Sequence, residues 1–189
     1  MAIFFTSDLH LGHKNVITSC GRNFTDVEEM NAVLIGNWNR KVTQEDEVYI
    51  LGDFSYRSGV HVGTYLEQLN GQKHLLIGNH DIKWLKNVED PSVYFESVAQ
   101  MGTINMENKL ITLTHYPMLE WNRSRYARDQ ETSTSWLIHG HIHNNRDTAT
   151  FEYIREHLPC ALNAGADVNN YEPVTFEELL ENNNKWYGR

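Results

Sequence analysis

An α/β domain with a mixed sheet and helices on the outside is the fold this sequence predicts, on three observations. Over its first half, short apolar runs alternate with polar loops and helical periodicities. After Asp90-Pro91 the pattern shifts to closely spaced strands of a meander. The length of 189 residues is that of one domain, which buries roughly 70% of its unfolded surface without a disulfide or structural metal. One domain over 1–189 is therefore expected, with no internal repeat and no linker.

Ala2 to Thr6 is an apolar, aromatic run that turns polar at Ser7, as a buried strand does on entering a functional loop. Thr25-Asp26-Val27-Glu28 has the form of a capping box. Val27, Met30, Val33, Leu34 and Trp38 follow at helical spacing, so a helix is predicted over about 26–40. Val48 to Leu51 is a second strand, stopped by Gly52-Asp53, and Val62 to Leu69 is helical, ending at Asn70-Gly71. His74 to Ile77 is a third strand, stopped by Gly78-Asn79-His80-Asp81. The meander is read as Tyr94 to Val98, Thr103 to Met106 and Leu110 to Thr114, with a hairpin turn at Glu107-Asn108-Lys109. Trp136-Leu137-Ile138 is a further strand; 151–158 fits strand or helix; Ala161 to Ala164 fits a strand. Thr175-Phe176-Glu177-Glu178 opens a short C-terminal helix, and the polar Asn182-Asn183-Asn184-Lys185 is expected to fray.

The chemistry lies in where the apolar runs stop. Five of them end at metal-ligand residue types: Asp8-Leu9-His10, Gly52-Asp53, Gly78-Asn79-His80-Asp81, Thr114-His115 and Gly140-His141-Ile142-His143. In α/β folds, ligands bind beyond the carboxyl ends of the strands, so these loops should converge on one crevice. Asp8 with His10, and His141 with His143, are two apart and point the same way in an extended segment. Seven oxygen and nitrogen donors exceed what one ion takes and fit two ions with a shared carboxylate. Carboxylates and an amide mixed with imidazoles, and no thiolate, favour a catalytic centre over a structural zinc.

Taken in order, the five segments resemble the signature of the calcineurin-like metallophosphoesterases, from position 8 to 143. Leu11-Gly12-His13-Lys14-Asn15 and the stretch from Tyr116 to Asn122 look like a small bacterial and phage branch of predicted phosphoesterases. The resemblance implies a four-layer α/β fold: two mixed β-sheets packed as a sandwich with flanking helices. It also implies two divalent ions, one held by Asp8, His10, Asp53 and His143, the other by Asp53, Asn79, His115 and His141, with Asp53 bridging. Candidate ions are Mn2+, Fe2+/Fe3+, Zn2+, Ni2+ and Co2+. His80 would act on the substrate as a catalytic residue, with Asp81 a candidate to orient its ring. The implied activity is hydrolysis of a small, nucleotide-like phosphate mono- or diester by metal-bound hydroxide, the ions lowering the pKa of a water toward about 7. Protein phosphatases of the family carry an Asp where Tyr56 stands here, although Arg57 keeps their Arg position. The missing carboxylate argues against a protein substrate.

Sixteen Lys and Arg against 25 Asp and Glu give a net charge of −9, so no global positive field recruits nucleic acid or an anionic membrane. A small phosphorylated substrate is the expected partner and the membrane is excluded. A nuclease, which would need a local basic patch, and a non-catalytic interaction module are the alternatives. The basic exception is Arg123-Ser124-Arg125-Tyr126-Ala127-Arg128. It is expected either as a solvated loop or as one leaning over the metals, where Arg123 and Arg125 would hold a phosphate and Tyr126 would stack on a base. His13, Lys14, Arg22 and Arg57 are further candidates for substrate binding. His139 is expected as a core histidine, and Phe4, Phe5, Trp121 and Trp136 as core. Cys20 and Cys160, isolated in sequence, suit free thiols in a reducing compartment; with no basic leader segment before the first apolar run, the cytoplasm is the expected location.

Overall fold

Strand β1 (Ile3–Thr6) shows how sequence alternation builds the layers. Phe4 and Phe5 are adjacent, so their side chains leave opposite faces of the strand. Phe4 joins Met30, Leu34 and Trp38 of helix α2 (Val27–Lys41), whereas Phe5 joins a core that includes Ile111, Leu113 and Trp136. The same division recurs at Ile50 and Leu51 and at Leu75 and Leu76. Each of these strands is buried on both sides, once by helices and once by a second sheet.

The computed structural model describes residues 1–189. The first sheet runs β1, β2 (Glu47–Ile50), β3 (Gln72–Leu76), β4 (Ser97–Ala99), all parallel. Helices α1 (Lys14–Ser19) and α2 connect β1 to β2, α3 (Gly63–Leu66) connects β2 to β3, and α4 (Asp81–Leu85) connects β3 to β4. The second sheet runs β5 (Met101–Met106), β6 (Lys109–Thr114), β7 (Ser135–His139), β8 (Ala161–Asn163); β5 and β6 are antiparallel and the rest parallel. Helices α5 (Ala149–His157) and α6 (Phe176–Tyr187) add Phe151, Ile154, Phe176, Leu179 and Trp186 to its core. The architecture is thus two four-stranded sheets with flanking helices. The sheets are joined twice, through

Several elements differ from the sequence-based expectation for identifiable reasons. Tyr94 to Val98 is not part of a meander: only Ser97–Ala99 is strand, and it closes the first sheet by parallel pairing with β3. Segment 151–158 resolves to helix, started by Thr148, whose side chain accepts from the Phe151 N–H. Asn182-Asn183-Asn184 stays helical because Asn183 is fully buried and accepts from the Asn163 N–H while donating to the Asn163 and Leu179 carbonyls. Short helices α1 and α4 carry no long periodicity and are not legible from pattern alone. The expected core aromatics Phe4, Phe5, Trp121 and Trp136 are all buried.

Candidate metal centre

Every segment that stops an apolar run emerges at the same end of the two sheets. Gly52 makes one of these loops possible: its φ is +87°, and a Cβ there would sit 2.6 Å from His115 Nδ1 and 2.7 Å from the Gly78 backbone. The Asp81 carboxylate ties the loops together. It accepts from the N–H groups of Asp53, Phe54 and Gly78 and from Trp84 Nε1, all at 2.8–2.9 Å. Burial pushes this carboxyl up to about 6, against the pull of those donors. Asp81 therefore does not orient the His80 ring, as the sequence suggested; every acceptor direction it has is spent on the loops that carry Asp53 and Asn79.

Asp8 and Asp53 lie at the centre, both buried. His10 Nε2 and His115 Nε2 each stand 3.6 Å from Asp53 Oδ2, His80 Nε2 stands 3.9 Å from the same oxygen, and His143 Nε2 stands 3.8 Å from Asp8 Oδ1. Donor atoms of Asp8, His10 and His143, and separately of Asp8, Asp53 and His115, lie within 4.8 Å of one another. The Asn79 side-chain oxygen is 3.0 Å from His115 Nε2, and the His141 ring meets the His115 ring edgewise at 5.1 Å. The structure thus gathers all seven predicted donors, Asp8, His10, Asp53, Asn79, His115, His141 and His143. His141 is exposed and its backbone N–H donates to Asp8 Oδ2 at 2.9 Å.

The donor set fits divalent cations on two grounds. Asp8 Oδ1 and His10 Nε2 are buried with no hydrogen-bond partner, which is costly for groups of this kind unless something cationic faces them. The Nδ1 atoms of His115 and His143 are occupied, donating to the Leu51 carbonyl and to Asp167 Oδ2, both at 2.8 Å. That fixes each tautomer so that Nε2 presents its lone pair toward the carboxylates, as in metal-ligating histidines backed by an acceptor. Burial, with His143 and Arg22 nearby, pushes His10 far down and keeps it neutral. Burial pushes the Asp53 carboxyl up, His115 opposes this, and the Asp8 carboxylate adds to it. Burial alone would lower His143, but Asp167, Cys20 and Asp8 raise it to about 11. The centre is an anionic well lined by imidazoles.

Asp167 is the functional residue that the sequence reading missed. Burial would raise its carboxyl, yet the hydrogen bond from His143 and the charge of Arg22 hold it below the usual carboxylate range. Arg22 Nε and Nη2 donate to it at 2.8 and 3.1 Å, and Nη1 and Nη2 reach the Leu9 and Asp8 carbonyls at 2.9 and 2.7 Å. A signal for it existed: Gly165-Ala166-Asp167 follows β8 just as the other Gly-containing donor loops follow their strands. Arg22 itself is a correction, since its side chain has no exposed surface and every arm is engaged inside the protein, leaving nothing for a substrate.

The basic loop is a second correction. Trp121 Nε1 donates to Ser135 Oγ, and Ser135 Oγ to the Asn122 carbonyl, so Arg123, Arg125 and Tyr126 sit at the start of β7, the end opposite to His141 and His143. They cannot lean over the centre. His13 and Arg57 do lie near it: the His13 ring is 5.3 Å from His10, and Arg57 shares a cavity wall with His80. His139 is fully buried with Nδ1 donating to the Gly140 carbonyl. Cys20 Sγ lies 3.4 Å from His143 Nδ1, on the Asp167 side of the ring. Both cysteines are free thiols.

Comparison with known proteins is consistent with this centre. A sequence model described as the calcineurin-like phosphoesterase superfamily domain matches residues 1–170. An uncharacterized protein of Methanocaldococcus jannaschii is 32% identical over 181 residues, covering 95% of this chain and 89% of that protein. The gene 66 protein of Mycobacterium phage L5 is 31% identical over 166 residues, covering 75% of this chain and 77% of its own length. A crystal structure of a protein of unknown function from Aquifex aeolicus superposes with a TM-score of 0.67 at 28% identity, covering 95% of this chain and 97% of that one.

Proposed function

Because the chain belongs to the calcineurin-like phosphoesterase superfamily, we propose that it is a dinuclear metal-dependent hydrolase acting on a small phosphate mono- or diester. The observation that carries this is the pairing of two buried carboxylates, Asp8 and Asp53, with imidazole Nε2 atoms aimed at them and two donor atoms left without protein partners. Asp8, His10, Asp53 and His143 would hold one ion, and Asp53, Asn79, His115 and His141 the other. Bound divalent ions supply Lewis acidity toward phosphate oxygens and a nucleophile at neutral pH by acidifying water.

The chain's own residues do the rest. His80 is the one imidazole of the cluster aimed at Asp53 that also reaches solvent, with about a third of its side chain exposed (31%). Its backbone N–H donates to Asp53 Oδ1 at 2.8 Å, and its ring packs on Tyr56 at 3.9 Å between centroids. Fixed in this way, Nε2 can hand a proton to the leaving oxygen of an ester bound over the two carboxylates. Tyr56 thus occupies with an aromatic support the place where a protein phosphatase has a carboxylate. The proposal stops at a small ester, because the loop that motivated a nucleotide-like substrate lies at the far end of β7. No helix is long and apolar enough to cross a membrane.

The test is a screen of phosphate esters on metal-stripped protein with Mn2+, Zn2+, Ni2+ or Mg2+ restored singly. Activity that returns with metal and disappears again with chelator supports the proposal. Full turnover in chelator-treated, metal-free protein overturns it.

A further inference from the structure

Beside His80 lies a cavity of about 240 Å³, lined by Tyr56, Arg57, His61, His80, Lys83 and Trp84 among others. This is several times one water's share of the liquid, room for a small charged group and the stem that carries it. None of its lining residues is acidic, in a chain with 25 Asp and Glu. Arg57 and Lys83 flank the Tyr56 ring, with their charged ends 5.1 and 5.6 Å from its centroid. Neither forms an ion pair with a carboxylate. Two permanent cations thus face one cavity with no internal counter-charge, an arrangement that favours an anion from outside.

We propose that this cavity is a subsite for a second phosphate, carried on the leaving-group portion of the substrate. The direction follows from His80, which borders both the cavity and the Asp53 carboxylate. If His80 protonates the leaving oxygen, the group attached to that oxygen extends past His80 and into the cavity, where Arg57 and Lys83 meet its charge. The substrate class is then an ester whose leaving group is itself phosphorylated. This inference rests on the phosphoesterase reading of the metal centre.

The probes are phenyl phosphate and 4-(phosphonomethyl)phenyl phosphate, which share a phenolate leaving group while only the second carries a non-hydrolysable dianion. With Mn2+-loaded protein, kcat/KM is expected to favour the phosphonate ester by about 10- to 100-fold, through KM. Arg57→Ala and Lys83→Ala each move that ratio toward one, and Lys83→Glu moves it further in the same direction. Both side chains are exposed, so neither change removes core packing. A calorimetric titration of benzylphosphonate into chelator-treated protein reads the cavity without turnover and should weaken about 10-fold in either alanine variant. A wild-type ratio of one, or variants that alter neither ratio nor titration, overturns the subsite. If no ester is turned over with any metal but benzylphosphonate binding still depends on Arg57 and Lys83, the subsite stands and the hydrolase reading fails.

Discussion

Replacing Asp167 by Ala separates what holds the loops in place from what prepares His143 for metal. In the native protein the Asp167 carboxylate is the sole counter-charge of Arg22, whose side chain has no solvent exposure. After the substitution the guanidinium keeps only the Leu9 and Asp8 carbonyls, and breaking a buried pair from one side costs about 3–5 kcal/mol. Against a total stability of about 5–15 kcal/mol this is a large shift, read as a lower urea midpoint in the presence of chelator. His143 Nδ1 loses its acceptor at the same time, so Nε2 is no longer held toward Asp8. Outer partners of metal-bound histidines typically contribute 10- to 100-fold in affinity, about 1.4–2.7 kcal/mol, measurable by competition titration with Zn2+. Adding Arg22→Met to Asp167→Ala removes the orphaned charge; it should restore most of the stability but none of the affinity. An Asp167→Ala protein within about 1 kcal/mol of wild type and with unchanged Zn2+ affinity would refute the reasoning, as would a double variant that regains affinity along with stability.

His80→Ala should keep near-normal metal content by elemental analysis while losing about 10²–10⁴ in rate, and lose least on esters with activated leaving groups. Gly52→Ala places a Cβ against His115 and the Gly78 backbone at a φ of +87°; it is expected to destabilise by at least about 2 kcal/mol in a denaturant titration and to lower metal stoichiometry. Asp46 accepts from the Ala2 N–H at 2.6 Å and from Thr43 N–H and Oγ1 at 2.9 and 2.8 Å, and these bonds hold its carboxyl below the usual range. Its folded pKa is depressed, so its contribution is full above the unfolded value of about 3.9 and is lost as pH falls through the folded one. Asp46→Asn should therefore cost about 1–2 kcal/mol near neutrality, with the gap to wild type closing below about pH 4 in parallel denaturation series.

The donors were legible because strand ends are legible: a buried parallel strand is an apolar run, and its stop marks the loop that carries chemistry. What stayed hidden depends on contacts between distant positions. Arg22, His143 and Asp167 meet only after both sheets have formed, and no spacing along the chain announces them. Asn183 looked like part of a fraying tail because its role is to satisfy the backbone of Asn163. The misplacement of Arg123 and Arg125 has a topological cause. β6 and β7 are parallel, so the chain leaving His115 must travel back along the sheet before β7 can begin, which carries the basic loop away from the centre. Sequence adjacency to two donor segments suggested proximity that the crossover forbids.

Five of the seven donor residues, Asp8, His10, Asp53, His141 and His143, have positive φ, between +49° and +73°. Asp, Asn and His enter that region more readily than other side chains, and glycine enters it freely. Selection at these positions therefore acts through two filters at once, ligand chemistry and backbone shape, and the two can come apart. A lineage that abandoned metal chemistry while keeping the fold would lose the first filter and retain the second. Its drift at positions 8, 10, 53, 141 and 143 should run toward Gly and Asn rather than Ala, Ser or Val, since each replacement with a Cβ and no local hydrogen bond keeps roughly 1–2 kcal/mol of left-handed strain with nothing to offset it. Glycines at these places in a degenerate descendant would be a fossil of the vanished centre, recognisable when no ligand remains.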